Sequence, residues 1–273
     1  MNSIDLTILS AWGNEELIAP FFLKHYFDIG ATKIVIFLDS TSNDKTLDIL
    51  LEHPEYKNNN IIINKVSYPL GFCDEMKIDY INNFYKTLQN GWVICCDADE
   101  FVFTKEYLYK EVTLDKTLVE YESKNLGILG CSMSHPFRNI LDTDLDINSK
   151  EKIILQRRYG LEYSPSTEKI PISKQAYKKP MVVKTNLNIH WSPGHHVLYG
   201  ETEEQRISPS IYLDGVHWKY ADPIIALYSA TNKVGNYKYI ARNISRGMAH
   251  NWVETPQEAL QKCKDNINAE KLF

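Results

Sequence analysis

Four short apolar runs, separated by segments of helical period, constrain this chain more than any other feature. Leu6–Ala11, Lys33–Leu38, Ile61–Val66 and Gly91–Cys96 are rich in Ile, Val and Leu, the length and make-up of strands buried on both faces. Glu15–Ile29 repeats Leu17, Ile18, Phe21, Phe22 and Tyr26 at helical spacing and stops at Gly30. Ser42-Asn43-Asp44 opens a shorter helix over Thr46–Leu51, and Asp74–Leu88 forms the next. Strand and helix alternating in this way predict an α/β fold with a mostly parallel, Rossmann-like central sheet flanked by helices. Such sheets bind ligands beyond the carboxyl ends of their strands. Ala11 to Asn14, Asp39 and Asp97 to Asp99 all fall there and are expected to meet in one crevice.

Beyond residue 104 the pattern weakens. Leu126–Ser132 and Met181–Thr185 read as strands, whereas 139–150 and 160–180 read as polar loops shaping an acceptor pocket. From Asp222 onward the chain reads as helical, with Pro223 and Pro256 near helix starts. The expected organisation is a main domain over 1–222, divided into halves 1–104 and 105–222, and a C-terminal helical extension over 223–273.

Composition excludes some classes of partner. With 273 residues and 44% hydrophobic side chains the chain can bury a large core. Its 30 basic and 35 acidic side chains give a net charge of -5, which offers no field for nucleic acid. Cys73, Cys95, Cys96, Cys131 and Cys263 form no C-x-x-C pair and read as reduced thiols of a cytoplasmic protein. No signal-peptide pattern or run of ~20 apolar residues is present, so a soluble protein, at most peripheral at the inner face of a membrane, is expected. Lys233, Lys238, Arg242 and Arg246, among Tyr237 and Tyr239, offer a basic face for anionic lipid or glycan, or a solvated helix face.

The acidic tripeptide Asp97-Ala98-Asp99 ends the fourth apolar run. Two carboxylates at i and i+2 can supply oxygen ligands to Mg2+ or Mn2+ while the ion holds substrate phosphates. The ion then neutralises charge growing on a diphosphate leaving group. Ser10-Ala11-Trp12-Gly13-Asn14-Glu15, Gly30 to Asp39, Ser42-Asn43-Asp44 and Asp97-Ala98-Asp99-Glu100-Phe101 occur in an order that resembles the family 2-type glycosyltransferases, in the subgroup whose motif reads D-x-D-E-F. The resemblance covers about the first 105 residues, with a second patch at His217-Trp218-Lys219-Tyr220. It implies a GT-A type fold, a nucleoside diphosphate sugar donor (UDP-linked), and a glycan or lipid-linked glycan acceptor. It further implies that Ala11, Trp12, Asn14, Glu15 and Asp39 border the nucleoside. Asp97 would face the ribose or the metal, Asp99 and His217 would ligate the metal, and Lys77 would reach the nucleotide.

Lys219 is expected to face the diphosphate from the same strand as His217, since alternate strand residues share a face. His190-Trp191-Ser192-Pro193-Gly194-His195-His196 lacks the partners of a zinc site, so His195 or His196 is expected to contact the acceptor or serve as general base. The family resemblance also implies an acidic pair supplying the base, and no Glu-Asp pair stands in the second half. Asp214, Glu201, Glu203 and Glu204 are the remaining carboxylate candidates. Trp191, Trp218 and Tyr199 are candidates for stacking on a sugar. Two other readings stand beside the transferase: a sugar-phosphate nucleotidyltransferase, whose Gly-rich basic phosphate loop has no counterpart in Ser10–Glu15, and a non-catalytic carbohydrate-binding protein on a transferase fold.

Overall fold

A computed structural model describes residues 4–68, 73–139, 142–157, 159–162, 177–202, 204–232 and 255–266. The first half follows the expected alternation: β1 (Leu6–Trp12), α1 (Ala19–Asp28), β2 (Lys33–Asp39), α2 (Thr46–Glu52), a single turn α3 (Pro54–Lys57), β3 (Ile61–Val66), α4 (Asp74–Tyr85) and β4 (Trp92–Cys95). The first helix starts four residues later than its apolar period suggests. Pro20 is tolerated only in a first helical turn, because deeper in the helix it lacks the N–H and clashes with the carbonyl four residues back. At the other end Gly30 adopts φ +102, and Ala31 N–H closes on the Tyr26 carbonyl at 2.9 Å.

The second half is richer in structure than its sequence pattern suggests. It contains β5 (Glu100–Phe103), α5 (Lys105–Lys110), α6 (Leu114–Ser123), β6 (Ile128–Phe137), β7 (Tyr159–Glu162), β8 (Tyr177–Lys184) and the two-residue strands β9 (His190–Trp191), β10 (Leu198–Tyr199) and β11 (Arg206–Ile207). β12 (Tyr212–His217), α7 (Pro223–Thr231) and α8 (Pro256–Asp265) follow. Pro223 and Pro256 do start helices. The expectation of loop over 160–180 fails at both ends, where β7 and β8 pair with β6; residues 163–176 lie outside the described residues, as do Lys233, Tyr237, Lys238, Tyr239, Arg242, Arg246 and Glu203.

Among the described residues nine strands form one sheet in the order β3-β2-β1-β4-β8-β6-β12-β5, with β7 on β6. The first four are mutually parallel. β8 runs antiparallel to both β4 and β6, so β6 and its parallel neighbour β12 point the same way as β1–β4. Six strands therefore share one direction, and this mainly parallel sheet flanked by helices is a Rossmann-like GT-A arrangement. β1 is flanked by β2 on one side and β4 on the other. The chain winds outward through β2 and β3 and then returns to the opposite side of β1, which makes a topological switch point between β1 and β4.

The sheet's two faces bury separate cores. Ile8, Phe22, Tyr26, Phe101 and Trp218 belong to one, and Leu9, Val35, Ile81, Tyr85 and Trp191 to the other. Burying each such side chain contributes roughly 1.5–3 kcal/mol. No helix among the described residues is long and apolar enough to cross a membrane. All five cysteines are free thiols.

Candidate active site

Because six strands share a direction, their carboxyl ends place Trp12, Asp39, Asp97 and His217 along one sheet edge. The antiparallel β5 and β8 begin at that same edge, bringing Glu100 and Lys179 to it.

The acidic turn is held on both backbone and side chains. Glu100 N–H donates to the Asp97 carbonyl at 3.1 Å, and Asp97 N–H donates to Glu100 Oε2 at 3.0 Å. Trp218 N–H donates to the Asp99 carbonyl at 2.6 Å, which joins the end of β12 to the turn. Asp97 Oδ1 accepts from Lys77 Nζ of α4, and Lys179 Nζ of β8 stands 3.8 Å from Asp97 Oδ2. Lys179 also donates to Glu100 Oε1. Burial works to raise the Asp97 carboxyl, but Lys77 and Lys179 outweigh it and hold the group well below the usual carboxylate range.

Asp99 takes a different partner. His217 Nε2 lies 2.8 Å from Asp99 Oδ2. Against the effect of burial, this contact lowers the Asp99 carboxyl and raises the His217 imidazole. Two donors bound side by side to Mg2+ at about 2.1 Å stand about 3 Å apart, so this carboxylate and imidazole have the spacing of neighbours in one coordination shell. Among the described residues no group of three or more His, Cys, Asp or Glu side chains is disposed to hold a metal ion. A two-ligand site nevertheless suits an ion that takes most of its shell from phosphates and water. Asp97, turned toward two lysines, is not grouped with the pair.

The loops after β1 and β2 are stapled together. Asn14 Oδ1 accepts from Asn43 N–H at 2.9 Å and from the Ser42 hydroxyl at 3.0 Å. Glu15 N–H donates to Thr46 Oγ1 at 2.7 Å, and Asp39 Oδ1 accepts from the backbone and hydroxyl of Thr41, each at 2.9 Å. Burial first, then Asp99, Asp97 and Asp44, push the Glu15 carboxyl well above its ordinary value. Asn14, Glu15, Asp39, Lys77, Asp97, Asp99 and His217 thus share the edge.

Other sequence candidates are placed differently. The Trp12 side chain is core, donating to Ser10 Oγ at 2.8 Å and packing edge-on to Phe22, so only its backbone borders the crevice; Ala98 is buried and Ala11 half-buried. Lys219 does not continue β12. The chain enters a 3-10 turn over Trp218–Tyr220, so His217 and Lys219 share no strand face, and Lys219 Nζ lies 5.1 Å from the Tyr220 ring. Trp191 and Trp218 are wholly buried, one bonded to the Pro180 carbonyl and one packed on Phe101, and cannot stack on a sugar. Tyr199 stacks on His190. Asp214 lies three residues before the end of β12, roughly 10 Å down the strand, where Lys105 and Glu106 are its charged neighbours. Glu201 bonds Asn188 at 3.2 Å, and Glu204 is exposed.

His195 is fully buried, with left-handed φ +59 and neither ring nitrogen hydrogen-bonded to the protein. Its Nδ1 lies 3.9 Å from Asp97 Oδ1. Burial and Lys77 depress its pKa well below the ordinary imidazole range, so it stands neutral beside the turn. His196, the next residue, is exposed. Sequence reasoning placed Glu100 in the acidic motif without giving it a role, and it missed Lys179. The available signals were the acid directly after Asp99 and the lysines leading into the apolar run Met181-Val182-Val183.

No protein-family model and no curated protein matches the chain. Among solved structures it is similar to residues 1–349 of TarS from S. aureus, at 12% identity over 88% of this chain and 68% of that chain, with a TM-score of 0.41. It is likewise similar to the mannosyltransferase PcManGT from Pyrobaculum calidifontis, solved with GDP-Man and Mn2+, at 11% identity over 98% and 70%, TM-score 0.41. UDP-glucose pyrophosphorylase from Acinetobacter baumanii follows at 9% identity over 67% and 74%, TM-score 0.33. The chain's own strand order, not these distant likenesses, defines its fold.

Proposed function

We propose that this chain is a glycosyltransferase that moves a sugar from a nucleoside diphosphate donor, UDP-linked, to a hydroxyl of a glycan or lipid-linked glycan. The observation that carries the reading is the Asp97–Asp99 turn at the carboxyl end of β4, beside the switch point and bonded to His217 from β12. Residues 1–104 supply the nucleoside side of the crevice, with the stapled loops at Asn14, Glu15 and Asp39, and residues 105–222 supply the acceptor side.

In this reading Asp99 and His217 would hold Mn2+ or Mg2+, which when bound draws off the charge that builds on the departing diphosphate. Lys77 keeps Asp97 ionised and directed into the crevice, where its carboxylate accepts a hydroxyl of the donor. His196 takes the acceptor proton, since it follows the buried His195 on the same turn and is open to solvent. Attack opposite the diphosphate inverts the anomeric centre.

The test is calorimetric binding of a panel of nucleotide sugars with and without Mn2+, for wild type and Asp99→Ala. One donor is expected to bind with Mn2+ and to lose at least tenfold in affinity in the variant. Absence of binding by every donor would sink the reading, and turnover of a sugar phosphate with a nucleoside triphosphate would replace it with the nucleotidyltransferase.

A further inference from the structure

We infer that Lys179 is a positioning residue for donor binding: it fixes the Asp97 carboxylate through a buried bridge to Glu100. The inference rests on the transferase reading and names a part of the same site that its motifs do not contain.

Lys179 and Glu100 keep only 4% and 2% of their side chains exposed. Taking both charges out of water is costly, and an apolar pair of similar volume would often hold the fold as well. What an apolar pair could not do is visible in the bonding. Glu100 spends Oε2 on the Asp97 N–H and Oε1 on Lys179, so one carboxylate braces the backbone of the acidic turn while pinning the ammonium. The pinned ammonium stands 3.8 Å from Asp97 Oδ2, on the side away from the Lys77 contact at Oδ1. Asp97 is thereby gripped at both oxygens by lysines from two different elements, α4 and β8. The grip depends on topology: β8 is antiparallel to β4 and so starts at the edge where β4 ends. Lysine suits the task as a compact point charge, whereas the wide guanidinium of arginine would engage Glu100 in fork fashion and displace the contact with Asp97.

The alternative is that Lys179 merely neutralises Glu100. Two variants separate the roles, read by melting temperature and by calorimetric affinity for the nucleotide-sugar donor with Mn2+. The double variant Glu100→Gln/Lys179→Met removes both charges together; Lys179→Arg keeps the charge and with it the fold. Each is expected to melt near wild type yet to bind donor at least tenfold more weakly, with the donor KM raised more than kcat falls. Donor affinity within twofold of wild type in Lys179→Arg overturns the inference, since charge alone would then suffice, and the same result in the double variant overturns it equally. Wild type that binds no donor removes the parent reading, and this one with it, a result distinct from variants that bind like wild type.

Discussion

His25 shows how much chemistry one buried side chain can carry without touching the crevice. It is fully buried on α1, its Nε2 lies 2.8 Å from the Val102 carbonyl, and its ring sits against Tyr26 and Phe101. Burial, opposed only by that hydrogen bond and by Asp28, lowers its pKa to about 4. A depressed base binds fewer protons folded than unfolded. Its contribution is complete above the unfolded value of about 6.5 and is lost as pH falls from there toward 4, to a total of about 3 kcal/mol. His135 and His195 are displaced in the same direction and add to that loss, whereas the raised Glu15 and His217 oppose it. Urea midpoints measured from pH 7 to pH 4 should fall less steeply in His25→Gln than in wild type. Parallel slopes would mean that the imidazole takes up its proton at the same pH in the folded chain as in the unfolded one.

At the scale of elements, α7 reaches from one side of the crevice to the other. Its first turn follows His217–Tyr220 directly, and its far end carries Tyr228, whose hydroxyl donates to Asp44 Oδ2 at 2.7 Å. The same Asp44 carboxylate accepts from Glu16 N–H at 2.9 Å and Thr46 N–H at 3.0 Å. One acid therefore joins the loop after β1, the start of α2 and α7. Tyr228→Phe removes a single hydrogen bond and should cost about 1 kcal/mol. The loss should be local: amide exchange at Glu16 and Thr46 should quicken while the strands keep their protection. Unchanged exchange at those two amides would show that α7 does not brace the loops.

At the scale of the whole molecule, the segment between β6 and β7 is fastened to α7 by Arg157. This side chain is fully buried, donates to the Ala221 and Thr143 carbonyls at 2.7 and 3.1 Å, and pairs with Asp222 at 3.0 Å. Asp222 in turn caps α7 through the Ile224 N–H. Arg157→Met should cost about 3–5 kcal/mol, because it strips a buried carboxylate of its inner cation and leaves it, among the described residues, the Ile224 N–H and the 3.4 Å contact with Arg138. Denaturant unfolding checks this, and a loss under 1 kcal/mol would place the fastening elsewhere.

Local pattern by itself determined the first half. β1 to β4 and their helices follow from apolar runs and helical periods, because parallel strands buried on both faces must be apolar throughout, and Asp97, Asp99 and Asp39 are legible as acids at the ends of such runs. The late start of α1 was readable too, at Pro20, had its position in the helix been weighed. Tertiary structure alone decided the rest. Glu100–Phe103 is a strand only because β12 lies beside it, and the reach of Lys179 to Asp97 depends on β8 running antiparallel to β4. The core placement of Trp191 and Trp218 and the distance of Asp214 from the acidic turn depend equally on which strands become neighbours. Spacing along a chain carries no record of partners some 80 residues away, so contacts of that kind come into being only when the sheet closes.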